Sequence, residues 1–203
     1  MTRIFIESKN DNTQEFNFLK AYLIHLGISL DKVDFVHEDG KDNIRLDRNK
    51  FLEAQAENKN NIILFDADKD GVTKTMLDEF LADNPDIQAA YFLFPNNEED
   101  GNVETLLDHI LLKDNFQGFF GCFNDYEMCI KGQKDEAGNV LYSTPNLKGK
   151  LYTFFTSLHL PNSKMKEVKR GNWLFNEPGY WDFDSPFLDP LKVFLSGNIC
   201  DIR

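Results

Sequence analysis

Four short apolar runs alternate with four stretches of helical periodicity across residues 3–112, and this alternation constrains the fold more than any other feature. Continuous apolar runs predict buried strands, and apolar residues spaced three or four positions apart predict helices. The predicted strands are 3–7, 32–40, 61–65 and 88–94, and the predicted helices are 12–27, 43–58, 73–83 and 102–112. Strands that alternate with helices of this length predict an α/β fold with a mainly parallel central sheet flanked by helices.

The remainder of the chain lacks this alternation. Helical spacing recurs at 115–131, 146–160 and 188–195, whereas 171–186 is aromatic and irregular. No linker-like stretch and no internal repeat separates it from what precedes it. We therefore expect residues 1–112 to form the α/β core, and residues 113–203 to pack on it as a helical and irregular extension of the same compact domain.

Acidic residues follow three of the four predicted strands. Glu7 follows "IFI", Asp39 follows "FVH", and both Asp66 and Asp68 follow or nearly follow "IILF". Ligands of open parallel sheets bind outside the carboxyl ends of the strands, so these side chains are expected to meet at one edge. Carboxylate oxygens are the ligands that Mg²⁺ and Ca²⁺ prefer, and the pattern therefore predicts a divalent-cation site.

The stretch "FDADKDG" has two other interpretations. An EF-hand needs a preceding helix and a glutamate at loop position twelve, but a strand precedes Asp66 and Leu77 stands at that position. Haloacid-dehalogenase-like phosphohydrolases also place two aspartates two residues apart at a strand end. That family normally carries them on its first strand, whereas here they follow the third. A small-molecule phosphohydrolase remains an open alternative.

Three motifs, taken in order, resemble the Toprim core of topoisomerases, primases and nucleases of the overcoming-lysogenization-defect type. They are a strand ending in glutamate ("IFIES"), a unit with a glycine turn ("HEDGKDNI") and a later strand ending in Asp-x-Asp ("ILFDAD"). The stretch "LFPNNEEDGNVETLL" resembles a segment of small stand-alone Toprim-like bacterial proteins. The resemblance spans residues 3–112 and implies a Toprim-like Rossmannoid core. Toprim first strands usually continue with glycine, where this chain has Ser8.

The resemblance implies a role for each acidic residue at this edge. Glu7 is the expected catalytic general acid or base, or a metal ligand. Asp66 and Asp68 are expected metal ligands, Asp70 an outer ligand and Glu104 a ligand of a second metal. The expected cation is Mg²⁺, with Mn²⁺ as the alternative. The aspartates and Glu104 also have a structural interpretation: the aspartates can cap or form turns, and Glu104 suits the first turn of a helix.

Four further residues are candidate substrate contacts. Asp11 stands four residues after Glu7, as often in Toprim proteins, although it can equally cap a helix. Gly40 lies at the turn after the second strand. Lys148 and Lys150, in "NLKGK", can face the acidic edge and hold a phosphate. Together these residues favour Mg²⁺-dependent phosphodiester processing, above all by a nuclease. A non-catalytic metal- or nucleotide-binding module in a defence or repair complex is the alternative.

The net charge of the chain limits the ways in which it can bind nucleic acid. The net charge is −12, so the protein as a whole repels a phosphate backbone. Contact with nucleic acid is therefore expected through bridging metal ions or a local basic patch. A protein partner is also open, and the sequence does not indicate an oligomeric state.

The cysteines and the hydropathy of the chain predict the cellular compartment of the protein. The three cysteines, Cys122, Cys129 and Cys200, form no CxxC pair, and the first two are expected to be reduced thiols. No apolar run approaches the length of a membrane span, and the N-terminus does not resemble a signal peptide. We expect a cytoplasmic protein without membrane contact.

Overall fold

The structure, a computed structural model, describes residues 1–199 and consists of one four-stranded parallel sheet covered by helices on both faces. Cys200 lies outside the described residues. The strands are β1 (Thr2–Ile6), β2 (Val33–His37), β3 (Asn60–Asp66) and β4 (Ala90–Phe94). They lie in the order β2-β1-β3-β4, and every neighbouring pair is parallel. The predicted α/β fold with a parallel central sheet is confirmed.

Eight α-helices and four 3₁₀ segments complete the described part of the chain. The helices are α1 (Gln14–His25), α2 (Arg48–Ala56), α3 (Val72–Asp83), α4 (Val103–Ile110), α5 (Gln117–Lys131), α6 (Leu147–Ser157), α7 (Asn162–Val168) and α8 (Asp189–Asn198). The 3₁₀ segments are Leu30–Lys32, Lys41–Leu46, Lys113–Phe116 and Pro186–Leu188. Within residues 1–199, no helix combines the length and the apolar character needed to cross a membrane.

The sheet separates two apolar cores because successive side chains of a strand point to opposite faces. Ile4 and Ile6 of β1 face a large cluster that includes residues of α1, α4, α6 and α8. Phe5 faces a smaller cluster formed with α2 and α3, and its ring stacks on that of Phe51 at a centroid distance of 3.8 Å. Residues 113–199 thus contribute to the same core as β1, on one face of the sheet.

Two local predictions differ from the structure. The helix predicted over 43–58 is divided into the 3₁₀ segment Lys41–Leu46 and the α-helix α2, with Asp47 between them. Helix α7 was not predicted, because "NSKMKEV" is short and carries little apolar periodicity. Cys122 and Cys129 lie as free, exposed thiols on α5.

Candidate functional site

The candidate site lies where the chain changes direction across the sheet. From β1 the chain crosses first to β2 on one side, and β3 then lies on the other side of β1. The carboxyl ends of β1 and β3 therefore flank the topological switch point, where open α/β sheets bind their ligands. Glu7 follows the end of β1, and Asp66 is the last residue of β3.

Asp66 is fixed by the start of helix α4. Its Oδ1 accepts a hydrogen bond of 2.8 Å from the backbone N–H of Val103, the first residue of that helix. Burial, followed by the nearby charges of Glu104 and Glu7, nevertheless raises the pKa of Asp66 to about 8. Removal from water disfavours the charged carboxylate, and like charges add to that cost.

Glu7 is a second carboxyl group at this site with a raised pKa. Burial raises the pKa of its side chain, and Asp68 adds repulsion, while a backbone hydrogen bond at Asp66 and the charge of Lys41 partly offset both. Its Oε2 atom is buried and has no hydrogen-bond partner in the part of the chain that the structure describes. This oxygen is therefore available to a proton or a cation.

Glu104 is brought to the site by a well-capped helix. Asn102 caps α4, and its side chain and that of Thr105 form a capping box, which fixes the first turn. Glu104 is only 3% exposed. Its Oε1 accepts hydrogen bonds from Gln14 Nε2 at 2.7 Å and from Lys148 Nζ at 2.8 Å. Lys148 thus lies at the acidic edge and pairs there with a carboxylate.

Sequence reasoning missed Glu15. It lies in the first turn of α1, which Thr13 caps by accepting from the N–H of Phe16. Burial, with repulsion from Asp66 and Glu7, raises the pKa of Glu15 well above its ordinary value. The only sequence signal was an acid in a predicted first helical turn, and that is more often a surface residue favoured by the helix dipole.

Asp68 lies at the outer side of the site. Its Oδ2 accepts a hydrogen bond from Thr73 Oγ1 at 3.1 Å and pairs with the ammonium of Lys41. Its backbone has a positive φ of 59° and exchanges two hydrogen bonds of 3.0 Å with Gly101. The loop after β3 is thereby tied to the loop after β4. Gly40, beside Lys41, has a φ of 101°, so this turn favours glycine.

The structure does not bring all the predicted residues together. The Asp70 side chain is exposed, and its backbone N–H donates to Asp100 Oδ2 at 3.0 Å, as a turn residue would. Lys150 does not line the acidic cavity. Its ammonium pairs with Glu127 at 3.6 Å and lies 5.1 Å from the ring centroid of Phe123.

Asp11 also has a protein partner. Its Oδ1 lies 2.7 Å from Nε2 of His37, and the other ring nitrogen, Nδ1, lies 2.7 Å from Oγ of Ser8. Asp11 does not line the cavity that Glu7, Asp66 and Glu104 share. Ser8, at the position where Toprim proteins usually have glycine, is buried and anchors the loop after β1 to the end of β2.

The converging carboxyl groups line a cavity of about 300 Å³. Its lining includes the following acidic and amino side chains: Glu7, Lys9, Glu15, Asp39, Asp66, Glu104 and Lys148. Among residues 1–199, no group of three or more His, Cys, Asp or Glu side chains is already gathered to hold a metal ion. The donor set is nevertheless all oxygen and acidic, and a buried Glu7 oxygen lacks a partner, so the residues fit a hard divalent cation.

A second cavity of about 410 Å³ adjoins the first and shares Gln14 and Lys148 with it. Helices α6 and α7 and the following loop contribute Tyr152, Lys169 and Trp173 to its lining. Trp173 is otherwise buried in the core, as are the neighbouring aromatic residues Phe175 and Trp181. The aromatic segment 171–186 therefore mainly packs the interior, while Tyr152 is exposed at the cavity.

No protein-family model matches the chain, and no significant similarity links it to a curated protein or to a solved structure.

Proposed function

We propose that this protein is a Toprim-like, Mg²⁺-dependent enzyme that cleaves phosphodiester bonds in nucleic acid, with Mn²⁺ as an alternative cation. The observation that carries the proposal is the meeting of Glu7, Asp66 and Glu104 in one cavity at the switch point of a parallel sheet. These three residues come from the ends of two strands and the start of a helix. Their order along the chain agrees with the Toprim resemblance of the sequence.

The surroundings of each residue indicate the role that it would have in this reaction. Asp66, with Asp68 beside it and Glu104 opposite, would hold the cation. When bound, Mg²⁺ orients a phosphate and stabilises the charge that develops on its oxygens. Glu7 Oε2, buried and unpaired within the described chain, is the atom that would take up or release a proton. Its raised pKa brings this exchange closer to neutral pH, which suits a general acid or base.

The adjoining cavity supports a nucleic-acid substrate. Lys148 lies between the two cavities and carries a positive charge next to the place of the phosphate. Tyr152 and Lys169 line the larger cavity, where a nucleotide next to the cleaved bond can lie against an aromatic face and a cation. Such local positive charge matters in a chain of net charge −12, which otherwise repels nucleic acid.

The direct test is cleavage of single-stranded DNA, RNA and plasmid DNA with Mg²⁺ or Mn²⁺. The Asp66→Ala, Asp68→Ala double variant is expected to lose activity, because it removes two carboxylates from the site. A matched control is Glu98→Ala, Glu99→Ala, which removes two exposed carboxylates from the loop after β4 and is expected to retain activity. Equal cleavage by the wild type and the double variant at Asp66 and Asp68 would refute the proposal.

One observation favours a second function, a non-catalytic binding module in a defence or repair complex. Lys41 pairs with Asp68 and Lys148 pairs with Glu104, so amino groups of the protein already neutralise part of the acidic edge. A module of this kind predicts that Mg²⁺ or a nucleotide raises the thermal midpoint without any cleavage. Stabilisation together with cation-dependent cleavage would instead support the enzyme. The predicted cytoplasmic location belongs to either function.

A further inference from the structure

The least expected feature of the acidic cavity is the buried side chain of Glu15. It is 7% exposed and lines the cavity from helix α1. The backbone of Glu7 lies close to its carboxyl group. Its Oε1 atom is buried and finds no hydrogen-bond partner in residues 1–199.

Such an oxygen is costly for a folded protein. Buried polar atoms are nearly always paired, and an unpaired one loses its hydration without compensation. An apolar side chain at this position of α1 would not carry this cost. Glu7, which lines the same cavity, also has an unpaired buried oxygen, Oε2. Two carboxyl groups from different elements, each with an unpaired oxygen in the described chain, thus line one cavity.

We propose that Glu15 is a direct ligand of a divalent cation in this cavity, completing with Asp66 and Glu104 a cation position on the helix side of the sheet edge. Asp68 does not line this cavity, and its carboxylate contacts Lys41 and Thr73 instead. The inference rests on the proposed cation-dependent function, and it adds a ligand that the Toprim-like motifs do not contain. Helix α1 then becomes part of the cation site rather than only a cover of the sheet.

A cation explains the cluster better than a proton on Glu15. Protonation of Glu15 removes one charge only and leaves the repulsion of Asp66 by Glu104 and Glu7 in place. A cation instead takes oxygen atoms from several carboxylates at once and cancels their mutual repulsion. The lining of the cavity supplies these oxygens from β1, α1, β3 and α4.

The test has two measurements. The first is a Mn²⁺ titration in which electron paramagnetic resonance reports the concentration of free Mn²⁺. The second is thermal unfolding with and without Mn²⁺. Glu15→Gln keeps the size of the side chain and removes its charge. It is expected to raise the Kd for Mn²⁺ at least tenfold and to reduce the stabilisation that Mn²⁺ confers. Without metal, this variant is expected to melt above the wild type, since a buried charge is gone.

The matched control is Glu38→Gln. Glu38 is 1% exposed and burial also raises the pKa of its carboxyl group, but it lies outside the cavity. Its substitution is expected to leave the Kd for Mn²⁺ unchanged. Glu15→Asp, which keeps the charge on a shorter side chain, provides a second variant and is expected to bind Mn²⁺ with an affinity between those of wild type and Glu15→Gln.

Three outcomes separate this inference from the proposed function. Wild-type affinity for Mn²⁺ in both Glu15 variants would overturn the role of Glu15 and leave the proposed function standing. Loss of affinity in Glu15→Gln, in a protein that cleaves no nucleic acid, would support the ligand and refute the nuclease. Absence of Mn²⁺ binding by the wild type would overturn both.

Discussion

Gly171 provides the most sensitive structural test, because the loop after α7 touches the start of α1 there. It has a φ of +84°, and a Cβ atom added to it would lie 2.5 Å from the carbonyl carbon of Thr13 and 2.6 Å from the nitrogen of Gln14. Both are backbone atoms, which cannot turn aside as a flexible side chain can. Gly171→Ala must therefore push the loop away from the residues that precede Glu15.

The expected loss of stability has two parts. A left-handed backbone costs a residue with a Cβ about 1–2 kcal/mol. Overlap in a close-packed place adds about 1–3 kcal/mol. Gly138 isolates the first part, since its φ is also +84° but a Cβ there meets nothing within 4 Å. We therefore expect Gly171→Ala to be less stable than Gly138→Ala by about 2 kcal/mol, the overlap alone.

Urea unfolding of both variants measures this difference. For a chain of this length, about 2 kcal/mol corresponds to a thermal midpoint lower by roughly 4–8 °C. Gly171→Ala is further expected to weaken Mn²⁺ binding, because Gln14 holds Glu104 and lies next to Glu15. Equal stability of the two variants would show that the close approach of the loop to Thr13 is not a real constraint, and would refute the reasoning.

Two further predictions concern single side chains. Burial, followed by the hydrogen bond and charge of Asp47, raises the pKa of Glu38 from 4.5 to about 8, so the folded state binds the extra proton and stability falls as pH rises between these values. Glu38→Gln is expected to remove this fall in stability. Measured by urea unfolding, the variant should be more stable than wild type at pH 8 but not at pH 4. The same dependence of unfolding free energy on pH in both proteins would contradict this. Lys148→Met is expected to raise KM for nucleic acid roughly tenfold, the size of a charged hydrogen bond. Lys150→Met, whose ammonium faces Glu127, is expected to leave KM unchanged, and an equal effect of both substitutions would argue against a phosphate contact at Lys148.

The sequence by itself determined the layered fold and one half of the candidate site. Continuous apolar runs such as "NIILF" indicate strands buried on both faces, and their alternation with helices allows little besides a parallel sheet. The parallel arrangement in turn places Glu7 and Asp66 at the same edge, because Glu7 directly follows β1 and Asp66 is the last residue of β3. These inferences need only local periodicity and the direction of the strands.

Only the tertiary structure decided which other side chains reach that edge. Gln14 and Glu104 are 90 positions apart and meet because α1 and α4 pack on the same face of the sheet. Lys148 and Lys150 look equivalent in sequence, yet residues two apart on a helix point about 200° apart, so only one of them can face the cavity. Glu15 was hidden for the same reason: periodicity shows which positions share a helix face, but the docking of α1 decides that this face meets three other carboxylates.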